Sequence, residues 1–171
     1  MMVINKKMRH AFVLLAFALV MISLFACGKT PPRPPEIPNY FQSNLVIRVE
    51  EHTFKASLMY RCAGYLSVQF LEPVELKDFT MELEDEHLRL KCGELSAGWS
   101  TDVLPETGFL PLLNEVFFLL SQPATRAVPQ KQGGWRIEGI SRGNAYMAYL
   151  NDDGMLVKLG MPSVGLEIEL S

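Results

Sequence analysis

The residue best placed for covalent chemistry is Cys27, which directly follows Leu24-Phe25-Ala26, an apolar, a variable and a small residue. A thiol is a nucleophile and can form a thioether. Other chemistry-bearing residues are scattered. His52 stands in Glu51-His52-Thr53 and His87 in Glu84-Asp85-Glu86-His87, both expected in solvated turns. No Gly-x-Ser-x-Gly, His-Glu-x-x-His, Walker-type or Gly-x-Gly-x-x-Gly pattern occurs. Asp152-Asp153-Gly154 has part of a calcium loop without its other ligands or closing Glu, and is expected as a hairpin turn. Carboxylate pairs of the glycosidase kind are spatial and do not show in a sequence. The expectation is a protein that is not an enzyme, with no catalytic residue, metal or cofactor.

What must position Cys27 lies just before it. Lys6, Lys7 and Arg9 precede an uncharged apolar run, residues 11–26, with no acid in the segment. A basic stretch followed by a short apolar one reads as an export signal. The run is shorter than the roughly 20 residues that span a bilayer comfortably, which makes a permanent transmembrane anchor the second choice. The signal and its Leu24–Cys27 end resemble the lipobox of bacterial lipoproteins. That resemblance implies a lipidated Cys27 and an extracytoplasmic protein anchored to the cell membrane, the outer membrane in a Gram-negative source.

After Cys27 comes Gly28-Lys29-Thr30-Pro31-Pro32-Arg33-Pro34-Pro35-Glu36-Ile37-Pro38. Proline withholds amide donors and fixes φ, so the stretch reads as an extended spacer of about 3 Å per residue; a docking peptide for an aromatic groove is the other reading. The organisation expected is a signal peptide over 1–26, a lipidated cysteine and tether over 27–39, and one domain over 40–171. Without the signal, 13 basic residues face 19 acidic ones, a net charge near −6. With no basic stripe interleaved with aromatics, nucleic acid is not an expected partner.

Within the domain the dominant period is two. Leu45, Ile47 and Val49, then Phe54 to Tyr60, Leu66 to Phe70, Phe79 to Leu83, and Leu88 and Leu90 alternate with polar residues. That is the pattern of antiparallel strands with one dry and one wet face. Cys62 and Cys92 fall in phase with the apolar positions, which reads as two buried thiols; a disulfide is the alternative that the exported compartment permits. The period changes at residues 109–120, whose continuous apolarity suits a covered helix with Pro111 in its first turn. Residues 124–134 read as a polar, mobile loop. Strands resume at 135–139, 144–150, 155–159 and 166–170, with Asn151-Asp152-Asp153-Gly154 as a hairpin turn. The expected fold is mainly β with α: nine or ten strands in a strongly curved antiparallel sheet, a half-barrel, with one or two helices packed in its concave side.

This order of elements resembles the LolA/LolB-like family of lipoprotein carriers and acceptors. The likeness rests on Val68-Gln69-Phe70-Leu71-Glu72-Pro73, on 79–84 and 88–92, on Leu104-Pro105, on the helix with Leu112-Leu113 and on the late hairpin over 146–159. It implies an unclosed sheet with an apolar cavity for acyl chains, lined here by Tyr60, Phe70, Phe79, Met81, Leu83, Leu112, Val116, Phe117 and Leu120. The same residues could equally fill a solid core. The family's carrier has no lipid anchor, and it uses an arginine soon after a strand-end proline, where this chain reads Val74-Glu75-Leu76-Lys77-Asp78. Two function classes follow. One is an anchored protein that binds a lipid, an acyl chain such as palmitate, or a lipoprotein in the concavity. The other is an anchored interaction module with a solid core, meeting a protein partner of the envelope or spore. A continuous open cavity favours the first and a filled core the second.

Overall fold

The computed structural model describes residues 36–61, 64–103, 108–123 and 127–171. The expected period-two segments become strands β1 (Tyr40–Val49), β2 (His52–Arg61), β3 (Tyr65–Glu72), β4 (Phe79–Glu84) and β5 (His87–Cys92). After the helix α1 (Phe109–Leu120) come β8 (Trp135–Ser141), β9 (Asn144–Leu150), β10 (Leu156–Met161) and β11 (Leu166–Leu170). Two more strands go beyond the expectation. β6 (Leu95–Ser100) carries little alternation strong enough to read, since Ser96, Ala97 and Gly98 are all small. β7 (Ala127–Pro129) lies inside the stretch read as a polar loop, and it is held by pairing with β8.

All pairings are antiparallel, and the spatial order is β6-β5-β4-β3-β2-β1-β11-β10-β9-β8-β7. The strands therefore begin at the middle of the sheet and meander out to one edge. The chain crosses to the opposite edge through α1 and meanders back to the middle. The seam between the two halves is β1 against β11, with Ile47 opposite Ile168. On the wet face of that seam Arg48 bonds Glu167 at 2.9 Å and Glu169 at 2.9 Å, and Lys158 bonds Glu167 at 3.0 Å. The hydrogen bonds from Lys158 and Arg48 hold the Glu167 carboxyl below the usual range, and those from Arg48 do the same to Glu169. These groups are solvated, so they fix register more than they add stability.

The helix is the one α-helix among the described residues, and it packs across the dry face, touching β3 and β4 on one arm and β8 on the other. A ring group anchors it: Phe117 lies 5.3 Å from Phe41 and 5.2 Å from Tyr60 in edge-to-face contacts, and Phe41 sits 5.4 Å from Tyr60. Glu115 on its wet side bonds Arg142 at 2.9 Å. Arg142 and Gly143 form the tight β8–β9 turn, both at positive φ, the geometry a two-residue hairpin of right-handed twist demands. Close packing shows at Gly139, where a Cβ would collide with the ring of Tyr146. Burial, and next the Glu115 charge, raises the Tyr146 hydroxyl above its ordinary pKa.

One residue changes where the domain begins. Ile37 falls in the stretch read as tether, yet it is 3 % exposed and its N–H donates to the Leu120 carbonyl at 3.3 Å. It thereby satisfies one of the carbonyls a helix leaves open at its C-terminus. Among the described residues the packed body thus includes Ile37, three positions before Tyr40. Ile37→Ala is expected to cost about 2 kcal/mol, at the low end for a buried Ile truncation, because the site lies at the end of the core. Thermal unfolding against Pro38→Ala, whose side chain is exposed, would show it.

Candidate functional site

The dry face of the sheet is the surface that the sequence marks for function, and the structure divides it in two. Under the helix it is solid. Tyr60, Phe70, Leu83, Leu112, Val116, Phe117 and Leu120 are all buried and belong to one core cluster. These seven of the nine nominated cavity residues fill the space between sheet and helix. The reason is the apolarity of α1 itself, which turns Leu112, Leu113, Val116, Phe117 and Leu120 onto the sheet and leaves Phe118 outside.

Beyond the helix the same face runs on with no cover among the described residues. Cross-strand partners share a face, so the register defines three rows across the arm. Leu66, Leu83, Leu88 and Trp99 form one, and Val68, Met81, Leu90 and Ala97 another. The third continues from Phe70, 5.9 Å from the Phe79 ring, through Phe79 and Cys92 to Leu95. Each row starts buried and ends exposed. Trp99 is 43 % exposed and Leu95 76 %, while Phe79, Met81 and Leu90 are half-buried on the way out. The two remaining nominated residues, Phe79 and Met81, thus lie on an open apolar strip and not in an enclosed cavity. The strip escapes a reading of the sequence because β6 itself does.

Cys92 sits in this strip and is an exposed free thiol. Its alternation phase is the apolar one, as expected, but the face it joins has no cover at that point among the described residues, so the expected burial fails. Cys62 lies outside the described residues, as do Cys27, the signal and Leu104-Pro105.

Other recesses differ in chemistry. One, about 640 Å³, opens on the wet face and is lined by Ser57, Ser67, Gln69, Thr80, Glu82 and Lys91 among others, with Lys91 bonded to Glu82 at 2.7 Å. It offers hydrogen bonds but little apolar floor. A cleft of about 590 Å³ beside α1 gathers Asp85, Glu86, Asp102, Glu115 and Arg142 around Phe118. His52 and His87 are exposed at strand starts. Among the described residues there is no group of three His, Cys, Asp or Glu side chains fit for a metal, and no helix long and apolar enough to cross a membrane.

No family model matches the chain, and no curated protein matches it. Among solved structures it is similar to an uncharacterized conserved protein from Thermus thermophilus, at 15 % identity and a TM-score of 0.46, over 75 % of this chain and 74 % of that one. It is also similar to the LolA superfamily protein NE2245 from Nitrosomonas europaea, at 13 % identity and a TM-score of 0.40, over 74 % of this chain and 66 % of that one.

Proposed function

We propose that the protein is a membrane-anchored extracytoplasmic lipoprotein whose domain holds an acyl chain, of a lipid or of another lipoprotein, along the open strip of its dry face. The observation that supports this is the graded burial of the three rows, from Leu66, Val68 and Phe70 out to Trp99, Ala97 and Leu95. Contiguous exposed apolar surface on a water-soluble body marks a site of contact. A strip that opens from a dry core suits a linear hydrocarbon, which can lie along it with one end under the helix margin at Phe79 and Met81. Methionine and leucine side chains adapt to such a chain at little cost. The filled core under the helix favours the second reading, an interaction module of the envelope, for which the same strip would meet a protein.

Trp99 supplies the test. The chain has two tryptophans, so Trp135→Phe leaves Trp99 as the single reporter. In a soluble form beginning at Gly28, palmitate is expected to shift Trp99 emission to the blue and to saturate. Leu95→Glu should weaken the binding by about tenfold or more, since burying a leucine is worth roughly 1.5–3 kcal/mol. Emission unmoved by palmitate, together with no co-purified lipid in native mass spectrometry, would overturn the acyl-chain reading and leave the interaction module.

A further inference from the structure

The two edges of the sheet are built differently. β7 is three residues long and ends in Pro129, which has no N–H to offer. A short, proline-bearing edge is how sheets avoid pairing with other chains. β6 is six residues long, carries no charge and no proline, and among the described residues pairs only with β5. Its phase follows from one bond: the Thr101 N–H donates to the Glu86 carbonyl at 2.8 Å, continuing the register in which His87 faces Ser100. Bonded and non-bonded pairs alternate in an antiparallel ladder. Leu95, Ala97 and Trp99 therefore bond β5. Ser96, Gly98 and Ser100 turn their N–H and C=O groups outward, with no strand among the described residues to receive them.

The residues of this edge are symmetric about Ala97. Reading outward in either direction gives a small residue (Ser96 or Gly98) and then a large apolar one (Leu95 or Trp99). We infer that β6 is a self-pairing edge, and that two copies of the chain join antiparallel through it about a two-fold axis at Ala97. In that register Ser96 exchanges hydrogen bonds with Gly98 of the second copy. Leu95 stands opposite Trp99 of the second copy at a non-bonded position, where side chains come closest. Glu94 meets Ser100 of the second copy, so no like charges oppose. The pairing keeps faces together, and the two open strips become one apolar trough.

A strand edge alone buries less than the roughly 1,000 Å² that a specific interface needs. The apolar face adds to that area, because the two-fold axis makes the Leu95–Trp99 contact twice. A different protein could use the same edge, but only a second copy is guaranteed to present large against large and small against small. The inference stands apart from the acyl-chain reading, since it needs no ligand.

The test uses the full-length chain with Cys92→Ser, to remove the neighbouring exposed thiol. Ala97→Cys in that background places two thiols face to face across the axis, and mild oxidation is expected to give a covalent dimer. Val128→Cys, also exposed but on the β7 edge, is expected to give none. Ala97→Lys, which sets two ammonium groups against each other, should abolish the dimer seen by sedimentation of the Cys92→Ser chain, and Val128→Lys should not. No cross-link at residue 97, or equal cross-linking at 97 and 128, would overturn the proposal. So would a sedimentation dimer that survives Ala97→Lys. Circular dichroism melting of each variant shows that a lost dimer is not lost folding.

Discussion

Phe117→Ala is expected to destabilise the domain by about 3–5 kcal/mol, the range for removing a well-packed phenylalanine. Phe117 is 1 % exposed and meets Phe41 and Tyr60 edge to face. Its loss removes the transfer free energy of the ring, two aromatic contacts and the only bridge from α1 to the start of β1 in that triad. Ile37 beside the helix end would loosen as well, since it bonds the last carbonyl of α1. The midpoint of thermal unfolding should fall by on the order of 10 °C, at a few degrees per kcal/mol for a domain of this size. Phe118→Ala, on the exposed side of the same helix, is the control and should change little. A drop below about 1 kcal/mol for Phe117→Ala would mean that the site already tolerates empty space, and the solid-core description would fail with it. The same pair of variants separates the two halves of the dry face. A palmitate response at Trp99 that persists in whatever Phe117→Ala protein remains folded places the ligand on the open strip and away from the helix.

Cys27→Ala carries the other large effect, and it is all-or-none. The lipoprotein reading makes the Cys27 thiol the only acceptor of the diacylglyceryl group and makes its lipidation the condition for cleavage. The variant is therefore expected to accumulate as an uncleaved precursor and to incorporate no labelled palmitate, while the wild-type chain is both shortened and labelled. Cys92→Ser, which removes the exposed thiol of the open strip, should be processed and labelled as the wild type. Normal processing and labelling of Cys27→Ala would overturn the anchor and with it the membrane-tethered part of the proposed function. The proposed acyl-chain contact would be untouched by that result, because it rests on Leu95 and Trp99 and not on residue 27.

On the lipoprotein reading, buried Ile37 stands ten positions after the lipidated Cys27 in the chain. A domain held that close to its anchoring surface meets neighbours of its own kind at high effective concentration. Weak edge pairing through β6 and an open acyl-chain strip would both benefit from such confinement.

Sequence by itself determined most of the sheet. Wherever large apolar and polar residues alternate, as in Phe54-Lys55-Ala56-Ser57-Leu58-Met59-Tyr60, a strand forms with the expected face buried, because only a pleat with period two satisfies both sets. The change to continuous apolarity at 109–120 marked the helix for the same kind of reason, and Asn151 to Gly154 marked a turn by the backbone freedom of Gly154 and the side-chain hydrogen bonds of Asn151. The export pattern ending at Cys27 is also a property of the sequence alone, since it is read as a linear signal. Tertiary structure decided the rest. β6 and β7 are strands because β5 and β8 offer them a ladder, and nothing in Ser96-Ala97-Gly98 or in Val128-Pro129 announces it. Ile37 leaves the proline segment for the core because the C-terminal carbonyls of α1 wait for a donor there. Of the nine nominated cavity residues, the five on strands share the dry face, as their spacing required, and the four on α1 turn toward it. Yet whether each is sealed or open depends on how far a twelve-residue helix reaches across eleven strands. It packs on β1 and β2 through Phe117 and on β3, β4 and β8, while Leu95 and Trp99 of β6 stay exposed, and that limit is a matter of packing between segments far apart in the chain, which no local pattern records.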